Sequence, residues 1–314
     1  MDVHTQRLRH FLVVAEELHF TRAASRLYLS QQALSRSISA LEDQVEVQLL
    51  IRTTRSVALT QAGEVFLHGA RATLEALRSA GEEARAANGV IAGRLRVGFT
   101  VISALELTGP VLREFAERFP AVKMDLIPYQ WSDPSCGLGS GATDVAFIRL
   151  PIACPDLSVE PFLLEPRAIG IHRSHELAGE TSVTLDDLVD QQIMAPATDD
   201  AAWSEFWTLR DTGADESRLP RADRTAGSME EELAMVSAGL AITTTAISMA
   251  RFTPRPSLVF RPIEGIPQSE IAVCWRGAGS RLTEAFRQVV AEVRDREYDL
   301  VTRIACATGQ AREF

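Results

Sequence analysis

The first sixty residues consist of short amphipathic segments separated by polar breaks. Between positions 6 and 18 the apolar residues recur at the spacing of one helix face: Leu8, Phe11, Leu12 and Ala15. Thr21 stands where a helix N-cap is expected, and helix-forming residues follow from Arg22 to Leu27. Ser30 is placed as a second cap, before a segment that extends to about Gln44. The pattern predicts three helices, the last two joined by a turn of about three residues.

One face of the third predicted helix is apolar and the opposite face is polar. The apolar residues are Leu34, Ile38 and Leu41, and the polar residues are Gln32, Ser35, Arg36 and Ser39. Two short helices in this order are typical of a helix-turn-helix, whose second helix enters the major groove of DNA. Gln can form two hydrogen bonds to adenine, and Arg can form two to guanine. An ordinary solvent-exposed helix face is the alternative explanation.

Two short apolar strands are predicted next, at 48–51 and 57–60. They flank a polar segment that contains Arg52 and Arg55. A hairpin tip with two guanidinium groups can lie against phosphate, which positions a protein on DNA without recognising its sequence. A surface hairpin with incidental arginines is the alternative.

A long helix is predicted from Gln61 to about Asn88, with Thr60 as its cap and Gly89 after its end. Its apolar and small residues are spaced alternately by four and three positions: Phe66, Ala70, Thr73, Leu77, Ala80, Ala84 and Ala87. This 3.5-residue repeat favours packing against the same helix of a second copy. Packing on its own domain is the alternative.

Strands and helices alternate after residue 93, as a parallel α/β sheet requires. A first group of elements is predicted, with strands at 94–99, 122–127 and 144–148 and a helix at 110–119. A second group begins near Arg167, with elements at 168–172, 185–189, 192–195, 203–209, 228–238 and 240–243. The chain then returns with a strand at 269–275 and a helix at 281–296, and its crossings between the groups are at 161–166 and 260–267.

Ligands of such sheets bind beyond the carboxyl ends of the strands. The candidate ligand-binding residues are therefore Thr100, Val101, Ile102, Ser103, Gln130, Trp131 and Arg149 in the first group of elements, and Pro196, Ala197, Thr198 and Trp203 in the second. We expect a small ligand with an anionic group for Arg149 and an apolar or aromatic body for Trp131. In the alternative, Arg149 pairs with a carboxylate of its own domain and the tryptophans belong to the core.

Composition narrows the class of protein. A chain of 314 residues favours two or three domains, and its net charge of −10 lies entirely after residue 93, because residues 1–93 contain ten arginines and ten acidic residues. No segment approaches eighteen apolar residues and the N-terminus does not resemble a signal peptide, so we expect a cytoplasmic protein without membrane contact.

Catalytic and metal-binding signatures are absent from the sequence. It contains no phosphate loop, dinucleotide glycine pattern, nucleophile elbow or zinc-protease motif, so neither an enzyme nor a cofactor is predicted. His172 and His175 have no third metal ligand nearby. The cysteines, Cys136, Cys154, Cys274 and Cys306, are too scattered for a zinc site or a disulfide framework, and we expect them to be reduced.

The N-terminal segment resembles LysR-type transcriptional regulators. The matching residues are Leu8-Arg9-His10-Phe11, Phe20-Thr21-Arg22-Ala23-Ala24-Ser25-Arg26-Leu27, Ser30-Gln31-Gln32-Ala33-Leu34-Ser35-Arg36, Leu41-Glu42, Arg52-Thr53 and Leu59-Thr60-Gln61-Ala62-Gly63. Two residues depart from the family pattern. Glu46 replaces the usual Gly of a turn, at a steric cost if φ is positive, and Leu50 replaces the usual Phe.

The resemblance implies a multidomain α/β protein. It comprises a winged helix-turn-helix at 1–60, a linker and dimerisation helix at 61–89, and a two-lobed effector-binding domain at 90–314 that is similar to periplasmic binding proteins. Lobe 1 is expected at about 94–163 and 268–303, and lobe 2 at about 166–264. The crossings at 161–166 and 260–267 are expected to act as the hinge between them. Arg149 stands where some members carry an arginine that meets an acidic effector.

The function expected from this resemblance is sequence-specific regulation of transcription, gated by a small effector. The expected partners are double-stranded DNA with an interrupted inverted repeat, the effector, RNA polymerase as a candidate contact, and further copies in a dimer or tetramer. The expected DNA-binding residues are Thr21, Arg22, Ser30, Gln31, Gln32, Ser35, Arg36, Ser39, Arg52 and Arg55. The alternatives are a solute-binding or catalytic α/β domain with an incidental helix-turn-helix, and a chromatin-like protein, which would require a basic chain.

Overall fold

The structure is a computed structural model that describes residues 3–52, 56–87, 91–100, 104–215 and 219–306. It divides into two compact units, Met1–Val90 and Ile91–Phe314. Each unit has hydrophobic clusters of its own.

The first unit consists of four helices and a two-stranded hairpin. In chain order these are α1 (Thr5–Glu17), α2 (Phe20–Arg26), α3 (Gln31–Val45), β1 (Leu50–Arg52), β2 (Val57–Leu59) and α4 (Gln61–Ala87). The strands β1 and β2 pair antiparallel. The core is formed by the apolar faces that the helical periodicity predicts, and Phe11, Leu34 and Leu41 are fully buried in it. The predicted winged helix-turn-helix is confirmed.

Three helix caps were predicted in this unit, and two are confirmed. The Ser30 hydroxyl accepts from the Ala33 N–H at 3.2 Å, and the Thr60 hydroxyl accepts from the Gly63 N–H at 2.9 Å. The cap predicted at Thr21 is wrong, because α2 begins earlier: His19 is the N-cap, and its Nδ1 accepts from the Arg22 N–H at 3.4 Å.

The two ends of α3 and α4 nearest the hairpin show why particular residues fit there. Glu46 ends α3 in a left-handed conformation with φ of 57°, so this glutamate does carry the backbone cost that glycine avoids. A Cβ added to Gly63 would lie 2.1 Å from the carbonyl oxygen of Leu49. The close approach of α4 to the chain before β1 therefore requires glycine.

The 3.5-residue repeat of α4 is buried near the start of the helix and exposed further along it. Near its start Ala70 is buried, and the Phe66 ring packs edge-on against Phe11 with centroids 5.5 Å apart, as in the alternative of packing on its own domain. Thr73 and Leu77 further along the repeat are exposed, and Leu77 keeps 52% of its surface accessible. The second half of the repeat thus leaves a face of α4 uncovered within this unit.

The second unit contains two five-stranded sheets with flanking helices. Its elements are β3 (Gly93–Phe99), α5 (Thr108–Arg118), β4 (Val122–Pro128), β5 (Val145–Leu150), β6 (Leu157–Glu165), β7 (Arg167–His172), β8 (Gln192–Pro196), α6 (Ala201–Trp207), β9 (Arg221–Ala226), α7 (Met229–Ser237), β10 (Ile242–Ala246), α8 (Met249–Phe252), β11 (Leu258–Pro262), β12 (Ser269–Arg276), α9 (Arg281–Arg296) and α10 (Tyr298–Ala305).

Both sheets are mixed, whereas the sequence pattern predicts parallel strands. The first has the order β4-β3-β5-β12-β6, in which β12 is antiparallel to β5 and β6. The second has the order β11-β7-β10-β8-β9, in which β7 is antiparallel to β10 and β11. The two sheets form the two predicted lobes, which meet where β6 passes into β7 and β11 passes towards β12.

Several elements differ from the prediction. The crossing expected at 161–166 is mostly the edge strand β6, where Pro161 is tolerated because the register shifts beside it. The start of the crossing expected at 260–267 belongs to β11, and residues 185–189 hold a short 3-10 turn. The prediction also misses β9 and the C-terminal helix α10. Within the described residues no helix has both the length and the hydropathy to cross a bilayer.

Candidate nucleic-acid interface and inter-lobe cavity

The polar face of α3 is presented on a rigid apolar support. Leu34, Ile38 and Leu41 are fully buried on its inner side. On the outer side Gln31, Gln32, Arg36 and Ser39 are exposed and Ser35 is half-buried. Hydrogen-bonding side chains of these types can contact the edges of bases in the major groove.

Two exposed residues of α2 are held by neighbours. The Thr21 hydroxyl donates to the Gln31 side-chain oxygen at 3.3 Å, which ties the start of α2 to the start of α3. The Arg22 Nε donates to the Glu17 carboxylate at 3.2 Å. Hydrogen bonds from Arg22 and from Arg26 lower the pKa of Glu17. Thr21 and Arg22 are therefore accessible but already partnered.

Arg52 connects the hairpin with α3. Its Nη2 lies 2.5 Å from the Glu42 carboxylate, and its Nη1 donates to the hydroxyls of Ser35 at 3.4 Å and Ser39 at 3.5 Å. The guanidinium also lies over the Phe20 ring, 5.0 Å from its centroid. In this arrangement Arg52 positions two of the polar residues of α3, and its charge is balanced by Glu42.

Glu42 of α3 binds the backbone at the start of the hairpin as well as Arg52. Its Oε1 accepts from the backbone N–H groups of Leu49 at 2.9 Å and Leu50 at 3.1 Å, at the start of the hairpin. One carboxylate therefore orders both the hairpin backbone and Arg52. Arg55, the second predicted phosphate ligand, lies outside the described residues.

The turn between α2 and α3 exposes a residue that the sequence analysis does not select. Tyr28 keeps 96% of its surface accessible and has a positive φ of 55°. A bulky aromatic residue between two helices was the available signal. Its phenol hydroxyl is a further candidate for a phosphate contact.

The second unit contains a partly open cavity of about 60 Å³ between its two sheets. Its wall combines strand ends of the first lobe with helices and strands of the second. The lining residues are Thr100, Trp131, Arg149, Met194, Pro196, Trp203, Trp207, Met229, Glu232, Thr244, Thr245, Ala246 and Met249.

The charge of Arg149 in this wall is compensated by its own domain. Its Nη2 donates to the Glu165 carboxylate at 2.5 Å, and its Nη1 donates to the Ser269 hydroxyl at 3.0 Å. Glu165 is fully buried, and its second oxygen accepts from the Ser248 N–H at 3.0 Å. This is the alternative arrangement, in which Arg149 pairs with a domain carboxylate.

Glu232 adds an acidic group to the wall. The Thr243 hydroxyl donates to its Oε1, and 6% of the residue is accessible. Burial raises the pKa of Glu232 to about 8, against which the hydrogen bond from Thr243 acts only in part. At neutral pH the carboxyl is therefore mostly protonated.

Aromatic and sulfur-containing side chains form most of the rest. Trp203 and Trp207, one turn apart on α6, pack edge-on with centroids 5.6 Å apart. Both indole N–H groups are buried and have no hydrogen-bond partner among the described residues. Leaving such a donor unpaired costs about 1–3 kcal/mol.

Two polar contacts join the lobes beside the cavity. The Arg251 Nε of α8 donates to Glu106 at 2.9 Å. The Asp200 carboxylate accepts from the Ala153 N–H at 2.8 Å and also caps α6 through the Trp203 N–H at 2.9 Å. The cavity is thus bordered by contacts that lobe separation would break.

Comparison with known proteins decides the family. Residues 5–64 match the family of bacterial regulatory helix-turn-helix proteins of the lysR type, and residues 88–297 match the LysR substrate binding domain. The chain belongs to the LysR family of transcriptional regulators. It is a DNA-binding regulator with an effector-binding domain, as its sequence leads us to expect.

Several LysR-type proteins are similar along much of their length. The chain is 32% identical over 295 residues to the Hca operon transcriptional activator HcaR of Escherichia coli (strain K12), covering 93% of this chain and 97% of HcaR. It is 35% identical over 202 residues to the HTH-type transcriptional regulator AlsR of Bacillus subtilis (strain 168), covering 64% of this chain and 66% of AlsR.

A solved structure shows the same architecture. Full-length CbnR in complex with its target DNA has a TM-score of 0.62 with this chain at 26% identity. The match covers 93% of this chain and 100% of CbnR.

The structure brings together part of the set of effector-binding residues predicted for this LysR-type regulator. Thr100, Trp131, Arg149, Pro196 and Trp203 line the same cavity, because the strands that carry or precede them meet between the sheets.

The other predicted residues have different places. Gln130 is exposed, the Ala197 N–H donates to the Ala226 carbonyl as an extension of the sheet, and the Thr198 hydroxyl accepts from the Asp200 N–H. None of the three is in the cavity wall. Val101, Ile102 and Ser103 lie outside the described residues.

The sequence analysis misses wall residues that come from helices and inner strands. Trp207 could have been found, since it lies four positions after Trp203 on one helix face. Glu232 could also have been found, because it shares the buried face of α7 with Met229, Leu233 and Val236. Met194, Met249 and the residues of β10 gave no comparable signal.

No group of three potential metal ligands occurs in the described part of the chain. His172 Nδ1 instead meets the Ser174 hydroxyl at 2.7 Å, and His175 Nε2 meets Gln191 at 3.1 Å. Burial raises the pKa of the Cys274 thiol to about 12 and that of Cys136 still further, which keeps both thiols protonated.

Proposed function

We propose that this LysR-type regulator binds an interrupted inverted repeat near a promoter and is gated by a small effector held between its lobes. The observation that carries the DNA part is the polar outer face of α3 on its fully buried inner face. Gln32, Ser35, Arg36 and Ser39 are the proposed base contacts, with Gln31, Ser30, Thr21 and Arg22 at the rim. Phosphate contacts from Arg55 complete the proposed interface.

Arg52 has a different role in this proposal from the one expected of a phosphate ligand. Its partners Glu42, Ser35 and Ser39 support a positioning role, in which it fixes the hairpin against α3 and orients two hydroxyls. A guanidinium that already has a carboxylate partner gains less from a phosphate.

Self-association is proposed through α4. The exposed part of its repeat contains Thr73, Leu77, Ala80 and Ala84, small or apolar residues that suit a close helix–helix contact. Dimers of this kind place two α3 helices on one face, which matches an inverted repeat, and dimers can pair into tetramers.

The effector is proposed to act by population shift. A ligand that binds one separation of the lobes better than another favours that state, and the altered oligomer changes DNA bending and contact with RNA polymerase. The second unit then acts as a sensor and not as an enzyme, and its place of action is the cytoplasm, where the DNA is. The relatives' names, all of transcriptional regulators, support this assignment.

Footprinting tests the DNA part of the proposal. The full-length protein is expected to protect two half-sites in the DNA upstream of a neighbouring gene, spaced by whole turns of the double helix. Equal affinity for the same DNA with scrambled half-sites would contradict sequence-specific binding. Protection of a single half-site would contradict the dimer.

A further inference from the structure

The charges around the inter-lobe cavity bear on which effector it accepts. Among the described residues that line it, Arg149 is the only cationic one. An anionic ligand at Arg149 would compete with Glu165, whose fully buried carboxylate would be left without its cation. Removing one partner of a buried ion pair is strongly unfavourable. Arg149 is therefore poorly placed to bind a second negative charge.

Glu232 opposes a ligand anion as well. Its carboxyl lies in the same wall, and the surroundings that raise its pKa to about 8 disfavour negative charge at this place in general. Protonated, it offers one O–H donor to a ligand. A ligand anion placed beside it would be subject to the same desolvation, which disfavours its charged form.

The remaining wall is apolar and polarizable. It is formed largely by three tryptophans and three methionines: Trp131, Trp203, Trp207, Met194, Met229 and Met249. The two buried indole N–H groups of α6 are hydrogen-bond donors without an acceptor among the described residues. Such a wall favours a ring compound, and an acceptor atom on that ring can meet the O–H of protonated Glu232.

We propose that the effector is a compact, uncharged ring compound with a hydrogen-bond acceptor, and that Arg149–Glu165 and Glu232 together exclude anions. This inference rests on the proposed function, since it assigns the ligand class of the same cavity. It replaces the anionic effector that the sequence suggested.

The size of the cavity adds a condition. Its volume is about 60 Å³, whereas a cavity that holds benzene has roughly 150 Å³. A one-ring ligand therefore enters only when wall side chains or the lobes move. Methionine has three rotatable bonds and adapts to such changes, and the Arg251–Glu106 contact lies where the lobes would separate.

The test uses three one-ring probes of similar size and different charge. Full-length protein is titrated with benzamide, benzoate and benzylamine at pH 7, by calorimetry and by tryptophan fluorescence. Three of the four tryptophans line the cavity, so occupancy should change the emission. We expect benzamide to bind at least about tenfold more tightly than benzoate or benzylamine, a difference of the size of one favourable buried contact.

The pH dependence of benzamide binding tests whether the protonated carboxyl of Glu232 contacts the ligand. If benzamide binds only the protonated form, its apparent affinity falls by about tenfold between pH 7 and pH 9, in proportion to the protonated fraction. The variant Glu232→Gln should lose this dependence. Glu230→Gln is the matched control, because Glu230 is exposed on the same helix and should keep it.

Several results would overturn the proposal: tighter binding of benzoate, tighter binding of benzylamine, pH-independent binding of benzamide, or binding of none of the three up to their solubility limits. The three-probe comparison on the unmodified protein stands even if Glu232→Gln fails to fold. Preference for benzoate would contradict the proposed ligand class but not the proposed regulator function. Failure to footprint any DNA would contradict the regulator function but would not change the probe results. The two failures are therefore distinguishable.

Discussion

Replacing Glu232 by glutamine is expected to change how the stability of the second unit depends on pH. Burial raises the pKa of this carboxyl from 4.5 to about 8, so the folded state disfavours its ionised form. Stability that depends on the protonated carboxyl is fully present below pH 4.5 and is lost as pH rises through 8. At 1.36 kcal/mol per unit of pKa, the loss between pH 5 and pH 8 is roughly 3–4 kcal/mol. Glutamine does not titrate and keeps an oxygen for the Thr243 hydroxyl, so the variant should lose none of it.

Urea unfolding between pH 5 and pH 8 measures this difference. All four tryptophans lie in Ile91–Phe314, so their fluorescence follows the second unit while the first unit stays silent. We expect Glu232→Gln to be more stable than the unmodified protein by a margin that grows with pH. Glu230→Gln should follow the unmodified protein. Parallel pH profiles for Glu232→Gln and the unmodified protein would refute the reasoning.

Four further substitutions test the first unit. Arg36→Ala should cost about 1–3 kcal/mol on the cognate site and much less on scrambled DNA, measured by fluorescence anisotropy, and equal losses on both would refute base contact. Arg52→Ala should weaken binding to all DNA without changing the salt slope, whereas a phosphate ligand would lower that slope by about one. Gly63→Ala should destabilise α4 by about 1–3 kcal/mol because its Cβ would meet the Leu49 oxygen at 2.1 Å. Gly69→Ala, which meets nothing within 4 Å, should stabilise the helix by about 0.5–1 kcal/mol. Hydrogen exchange measures the protection of the α4 amides in each variant. Equal protection in Gly63→Ala and Gly69→Ala would contradict the steric argument.

The helices of the first unit could be predicted because each carries its information locally. Apolar spacing marks the buried faces, and Ser30 and Thr60 stand directly before the helices that they cap. Thr21 misled the prediction since a threonine before a run of alanines is typical of a cap. The histidine two positions earlier, an unusual cap, takes that role instead.

The second unit was predictable only in part, for a physical reason. Strands such as β9 are rich in charged residues and belong to a sheet because of neighbours far away in the chain. The same applies to the cavity. Strand ends were foreseen, but the pairing of Arg149 with Glu165 depends on strand register across the sheet. The sequence alone shows that Arg149 and Glu165 are present, but it does not show that the fold brings their side chains together.

Asp200 connects the start of helix α6 with the backbone of the opposite lobe. One of its oxygens starts α6, the helix that carries two ring walls of the cavity, and the other is bound to the backbone of the opposite lobe at Ala153. When the lobes move apart, this carboxylate must either release Ala153 or pull the start of α6 with it. A change in the spacing of the lobes would therefore also displace Trp203 and Trp207 in the cavity wall, because Asp200 connects the start of α6 to Ala153.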